Sequence, residues 1–126
     1  MNVVDSSCWL EYFAGSVTGE RIASVIEDIQ RLVVPTIVLY EVFKKLLVEL
    51  DEADALLALA YMKQGEVIPL TAELAVYSAQ TGIEFKLPMA DSIIYATARK
   101  FNAILWTQDK HFASLDRVQY FPKTNS

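Results

Sequence analysis

Leu87-Pro88-Met89-Ala90-Asp91-Ser92-Ile93-Ile94-Tyr95-Ala96-Thr97-Ala98 is followed, after Arg99-Lys100-Phe101-Asn102, by Ala103-Ile104-Leu105-Trp106-Thr107-Gln108-Asp109. Pro88 suits the start of a helix, where its missing N–H is one of the donors left unpaired anyway. The small, apolar run after Asp91 is that of a buried helix, expected over Met89–Phe101. Ala103–Thr107 then reads as a short apolar strand, with an acid just beyond its end. A helix feeding a strand, with a carboxylate at each junction, predicts an alternating strand–helix chain. In such a fold the acids collect along the sheet edge where strands end and helices begin, which is where open α/β sheets bind their ligands.

The same pattern extends towards the N-terminus. Asn2–Asp5 is a strand ending in an acid. Ser6 or Ser7 can cap a short helix carrying Trp9, Leu10, Tyr12 and Phe13, which Gly15 ends. Thr18-Gly19 opens a second helix, with Ile22, Val25, Ile26 and Ile29 spaced for one buried stripe. Leu32–Pro35 is the second strand, and Thr36 caps a long helix that contains Glu41. Asp51 opens the next helix, closed by Gly65. Val67–Leu70 is a third strand, and Thr71 caps a helix to about Thr81-Gly82. The strand of Ala103–Thr107 is the fourth, and Val118–Phe121 is a possible fifth at an edge, stopped by Pro122. This predicts an α/β chain with a parallel sheet of four to five strands and helices on both faces. No repeat or linker divides it, so residues 1–126 read as a single domain.

Composition narrows the class. A hydrophobic content of 53% argues for a packed core and against disorder. No apolar stretch approaches the roughly 18 residues of a membrane span, and Met-Asn-Val-Val-Asp lacks the basic start of a signal peptide. The single cysteine, Cys8, has no internal partner, which fits a reducing cytoplasm. A net charge of −5 argues against a broad basic groove for nucleic acid. It does not exclude a metal site gripping one phosphate, because bound cations reverse the local field.

Asp5, Glu41, Asp91 and Asp109 are the candidate site. Each has a local explanation on its own: Asp5 and Asp109 as caps or turn residues, Glu41 as a partner for Lys45 one turn on, Asp91 as a complement to its helix dipole. Together they read differently. Glu41 lies among Val38, Leu39, Val42 and Phe43, and Asp91 precedes a buried run. Partly buried carboxylates without a basic partner are costly. A hard divalent cation such as Mg²⁺ or Mn²⁺ removes that cost, whereas zinc is disfavoured by the lack of a cysteine–histidine cluster.

These residues carry a resemblance. Val-Val-Asp5-Ser6-Ser7, Glu41 in the third helix, Leu-Pro-Met-Ala-Asp91-Ser92-Ile-Ile-Tyr-Ala and Leu-Trp-Thr107-Gln-Asp109-Lys-His-Phe112 together resemble the PIN domain, the nuclease family of many VapC-type toxins. The resemblance spans nearly the whole chain. It implies a three-layer α/β/α fold with sheet order 3-2-1-4-5, and a metal-dependent endoribonuclease holding one or two Mg²⁺ or Mn²⁺ ions on Asp5, Glu41, Asp91 and Asp109. Ser6 and Thr107 are then expected to hydrogen-bond the carboxylates or a phosphate oxygen. The implied partners are an RNA substrate, a cognate antitoxin protein and a second copy of the chain. The apolar surplus of Thr36–Met62 is the expected contact of that homodimer.

Other residues and readings weigh less. His111, the only histidine, is expected to pack or hydrogen-bond locally, or to touch substrate with Lys110. Trp9, Tyr12 and Phe13 could stack on bases, but their helix needs apolar residues to bury. The alternatives in function are a non-catalytic interaction module and a phosphoryl-accepting domain of receiver or haloacid-dehalogenase type. The receiver pattern wants a pair of adjacent early acids, and the dehalogenase pattern wants an acid where Ser7 stands.

Overall fold

Five short strands, β1 (Asn2–Val4), β2 (Leu32–Pro35), β3 (Glu66–Ile68), β4 (Ile104–Thr107) and β5 (Val118–Tyr120), form the centre of the computed structural model, which describes residues 1–123. Between them run α1 (Ser6–Ala14), α2 (Val17–Glu27), α3 (Thr36–Glu49), α4 (Glu52–Met62), α5 (Ala72–Phe85) and α6 (Met89–Lys100). Short 3₁₀ turns occupy Ile29–Arg31 and Lys110–Phe112. Residues 124–126 of the expected domain lie outside the described residues.

All strand pairs are parallel, in the order β3-β2-β1-β4-β5. This is the expected sheet, with five strands. Val3, Val4, Leu32, Val33, Val34 and Leu105 are all buried, as consecutive strand residues are when helices cover both faces. The strand order explains the covering. From β1 the chain steps outward to β2 and β3, then returns to the other side of β1 for β4 and β5. Crossovers of one hand moving in opposite directions lie on opposite faces, giving three layers. They also part between β1 and β4, which leaves a crevice at the strand ends.

Local chemistry sets the boundaries, and several differ from expectation. α1 is capped by Asp5, whose Oδ1 accepts the Ser6 N–H at 2.8 Å, so Ser6 is the first helical residue and neither it nor Ser7 is the cap. Ser16 caps α2 two residues before the expected start, accepting the Gly19 N–H at 3.0 Å. Thr36 is likewise inside α3, because Pro35 already holds the extended cap conformation. β3 ends at Ile68, since Pro69 has no N–H to continue the ladder. Asp51 and Thr71 cap α4 and α5 as expected.

α5 does not stop at Thr81-Gly82 but continues to Phe85, where Lys86 turns into the left-handed region. Gly82 serves packing instead: a Cβ there would collide with the hydroxyl of Ser92 on α6, so only glycine lets the two helices approach this closely. Gly15 ends α1 as expected, at φ 69°.

Trp9 is buried and stacks on Phe13, while Tyr12 packs against Tyr61 of α4 with the two hydroxyls 3.0 Å apart. This is helix packing and no exposed platform for bases. The apolar surplus is divided. Leu46 and Met62 are buried, whereas Leu47, Val48, Leu50, Leu56 and Leu57 are exposed on α3 and α4. A second exposed apolar group, Leu70, Val76, Ile83 and Met89, follows α5 to the start of α6. Among the described residues no helix is long and apolar enough to cross a membrane.

Candidate active site

The β1–β4 pairing sets Val4 opposite Trp106, and the Asp5 N–H extends the ladder to the Trp106 carbonyl at 2.9 Å. Asp5 and Thr107 therefore leave the sheet side by side. The Thr107 hydroxyl donates to Asp5 Oδ2 at 2.7 Å and accepts the Asp109 N–H at 2.9 Å. One buried hydroxyl thus links the acid after β1 to the acid after β4. From α1, Ser6 Oγ donates to Glu41 Oε1 at 2.6 Å. The expected hydrogen bonds of Ser6 and Thr107 both go to carboxylates. Lys45, the local partner considered for Glu41, pairs with Glu49 instead, at 3.4 Å.

Asp91 projects from the first turn of α6, the only part of that helix that is not deeply covered before Arg99. His111 faces it across the turn that follows β4. Its Nδ1 lies 2.9 Å from Asp91 Oδ2 and 3.3 Å from Asp109 Oδ1, and the His111 backbone N–H donates to Asp109 Oδ1 at 2.9 Å. Asp5, Glu41, Asp91 and Asp109 all line one cavity of about 840 Å³, with Ser6, Lys110, His111, Tyr120 and Lys123 also on its wall. His111 hydrogen-bonds locally, as expected, and its partners are two of the four candidate acids.

The electrostatics follow from burial. Asp5 is 5% exposed, and desolvation pushes its pKa up to about 6 despite the donors Thr107 and Ser6, with the charges of Asp91 and Asp109 adding to the rise. Burial also raises Asp91; the hydrogen bond from His111 opposes that rise, and the charges of Asp109 and Glu41 add to it. His111 is raised in turn, first by its bond to Asp91 and then by Asp109. Cys8 is a different case: burial pushes its thiol up to about 12, which leaves it inert.

These groups fit a divalent cation. One ligand atom each from Asp91, Asp109 and His111 lies within 4.8 Å of the others, a spacing one ion can span. The strained ionisation of Asp5 and Asp91 supplies a reason for positive charge to bind there.

Residues 3–118 match the sequence model of the PIN domain. The chain belongs to the PIN-domain family. Solved structures agree on the fold. The chain superposes with a TM-score of 0.81 on a toxin–antitoxin complex chain from Klebsiella pneumoniae, at 22% identity, covering 98% of this chain and 100% of that one. A sarcin–ricin-loop-cleaving VapC toxin of Mycobacterium tuberculosis gives 0.74 at 20% identity, covering 92% and 95%. The DNA-bound VapBC complex of Salmonella typhimurium gives 0.71 at 15% identity, covering 96% of each chain. No curated protein matches the sequence significantly. In this PIN domain the matched region includes Asp5, Glu41, Asp91 and Asp109, with His111 beside the last two.

Proposed function

We propose that this PIN domain is a Mg²⁺- or Mn²⁺-dependent endoribonuclease of the cytoplasm, the toxin of a toxin–antitoxin pair. The observation that carries the reading is the Thr107 bridge between Asp5 and Asp109 at the parting of the crossovers, with Asp91 and Glu41 on the same cavity. Asp5, Glu41, Asp91 and Asp109 are the residues assigned to hold one or two ions. A divalent cation supplies the charge that makes an attacking water acidic and that steadies the oxygens of a phosphate under attack.

The chain's own groups do the positioning. Thr107 and the Ser6 N–H fix both oxygens of Asp5, and the Ser6 hydroxyl fixes Glu41. Lys110 and Lys123 stand exposed on the cavity wall, where they can meet phosphates flanking the scissile one. That local pair offsets the unfavourable net charge of −5 only at the site, which suits an accessible single strand better than a long duplex.

The phosphoryl-acceptor alternative requires an open carboxylate oxygen as nucleophile. Asp5 is 5% exposed and both its oxygens accept hydrogen bonds, so it is poorly disposed for in-line attack. A non-catalytic module leaves the crowding of acids without a purpose.

The partners assigned are a cognate antitoxin and a second copy of the chain. The structural relatives include toxin–antitoxin complexes, and two exposed apolar faces, on α3–α4 and on α5–α6, offer one surface for each. The deciding experiment is cleavage of a single-stranded RNA by the purified protein with Mn²⁺, and its loss in chelator and in Asp5→Asn. A metal-independent or Asp5-independent activity overturns the reading.

A further inference from the structure

We infer that His111 is itself a cation ligand, and that its nitrogen biases the site beside Asp91 and Asp109 towards Mn²⁺ over Mg²⁺. The inference rests on the metal-dependent reading above and deepens it, because the acids alone define an all-oxygen site.

The argument begins with spacing. Two ligands at right angles around an ion with bonds of about 2.1 Å stand about 3.0 Å apart. His111 Nδ1 lies 2.9 Å from Asp91 Oδ2 and 3.3 Å from Asp109 Oδ1. Those are the separations of neighbours in one coordination sphere. The three donors come from two elements, α6 and the turn after β4, so the sequence spacing of no single helix explains their meeting.

The backbone that carries the imidazole is also held in place. Phe112, next in the chain, is fully buried against the core and anchors the turn. Asp109 opens the turn and accepts the His111 N–H, while the Asp109 N–H is itself held by buried Thr107. The His111 side chain is 59% exposed, yet its backbone is fastened on both sides.

Donor type decides the selectivity. Carboxylate oxygens accept Mg²⁺, Ca²⁺ and Mn²⁺ alike, whereas imidazole favours first-row transition ions and gives little to Mg²⁺. A site of two carboxylates and one imidazole therefore discriminates where a site of carboxylates alone does not.

The test uses the full chain with Mn²⁺ alone and Mg²⁺ alone, measured by titration calorimetry, for wild type and His111→Gln. The variant keeps a side chain that can hydrogen-bond Asp91, and circular dichroism verifies its fold. His111→Gln is expected to weaken Mn²⁺ binding about tenfold while changing Mg²⁺ binding less than about threefold. Pulsed electron paramagnetic resonance of the Mn²⁺-loaded wild type is expected to show modulation from a directly bonded ¹⁴N, absent in the variant. Unchanged Mn²⁺ to Mg²⁺ preference, or no ¹⁴N coupling in wild type, overturns the role of His111 and makes it a partner of the carboxylates only. Failure of wild type to bind either ion overturns the metal-dependent reading as well.

Discussion

Thr107 hands its hydroxyl hydrogen to Asp5 at 2.7 Å from the end of the neighbouring strand, a contact between residues far apart in sequence that exists only because β1 and β4 are adjacent. The hydroxyl has two tasks, since it also receives the Asp109 N–H. Thr107→Val keeps the shape and removes both. Leaving Asp5 and the Asp109 N–H without this partner costs about 1–3 kcal/mol, and cleavage falls sharply. Thr107→Ser restores both bonds and most of the activity. Urea denaturation and an RNA cleavage assay distinguish the two variants; equal behaviour of valine and serine denies the hydroxyl its role.

The pKa of Asp5 predicts an unusual pH dependence. Its folded value of about 6 stands above the ordinary carboxylate value of 3.8, so between the two the native state holds a proton that the unfolded chain has lost. This contribution to stability is complete below about pH 4 and disappears as pH rises through about 6. The difference corresponds to roughly 3 kcal/mol. The raised values of Asp91 and His111 act with the same sign. In chelator, the wild type should lose stability between pH 4 and 7 relative to Asp5→Asn. Parallel Tm profiles for the two proteins show that Asp5 is not strained.

Cations should reverse that strain. A ligand that binds only the folded state stabilises it by about 2.7 kcal/mol at a hundred times its Kd. Titrating Mn²⁺ is therefore expected to raise the wild-type Tm steadily. Asp91→Asn should raise the cation-free Tm, since it removes a carboxylate whose ionised form is resisted by burial, and should flatten the Mn²⁺ response and abolish cleavage. An Asp91→Asn protein that cuts RNA at the wild-type rate removes Asp91 from the mechanism.

Acids away from the cavity provide the control. Glu66 is exposed on the sheet edge strand β3, and Glu73 has a side chain 86% exposed, 4.0 Å from Lys100. Glu66→Ala and Glu73→Ala should shift stability by less than about 0.5 kcal/mol and leave cleavage intact, while Asp5→Ala loses it. Equal losses in all three point to general destabilisation.

Self-association separates the two apolar faces. Leu57→Glu places a charge on the α3–α4 face expected from sequence, and Ile83→Glu on the α5 face. Light scattering should give twice the 14.2 kDa chain mass for wild type and a monomer for one of the two variants. A wild-type monomer at high micromolar concentration removes the homodimer.

The order of elements was readable because each junction carries its own chemistry. Val3-Val4-Asp5 and Leu105-Trp106-Thr107-Gln108-Asp109 announce a buried strand and its polar end within a few residues, and the pairing of parallel strands then brings the acids together. His111 carries no such local sign. Its meeting with Asp91 depends on α6 and the turn after β4 being packed side by side, which no run of residues encodes. The same holds for Val76, Ile83 and Met89, ordinary helix residues whose exposure emerges only once α5 has been placed. The start of α1 and the end of α5 differ from expectation for different reasons. Asp5 takes the cap that Ser6 and Ser7 also suit, and Gly82 is set by packing against Ser92, which a breaker rule does not see.

Gly82 and Ser92 meet where α5 crosses α6, one residue from Asp91. The closeness of that seam sets how far α6 stands from its neighbour, and α6 carries Asp91 at its first turn. A single added methyl at position 82 therefore acts as a wedge. It touches nothing charged, yet it presses on the helix that carries Asp91, so that a half-buried position in a helix seam bears on the place of a carboxylate at the cavity.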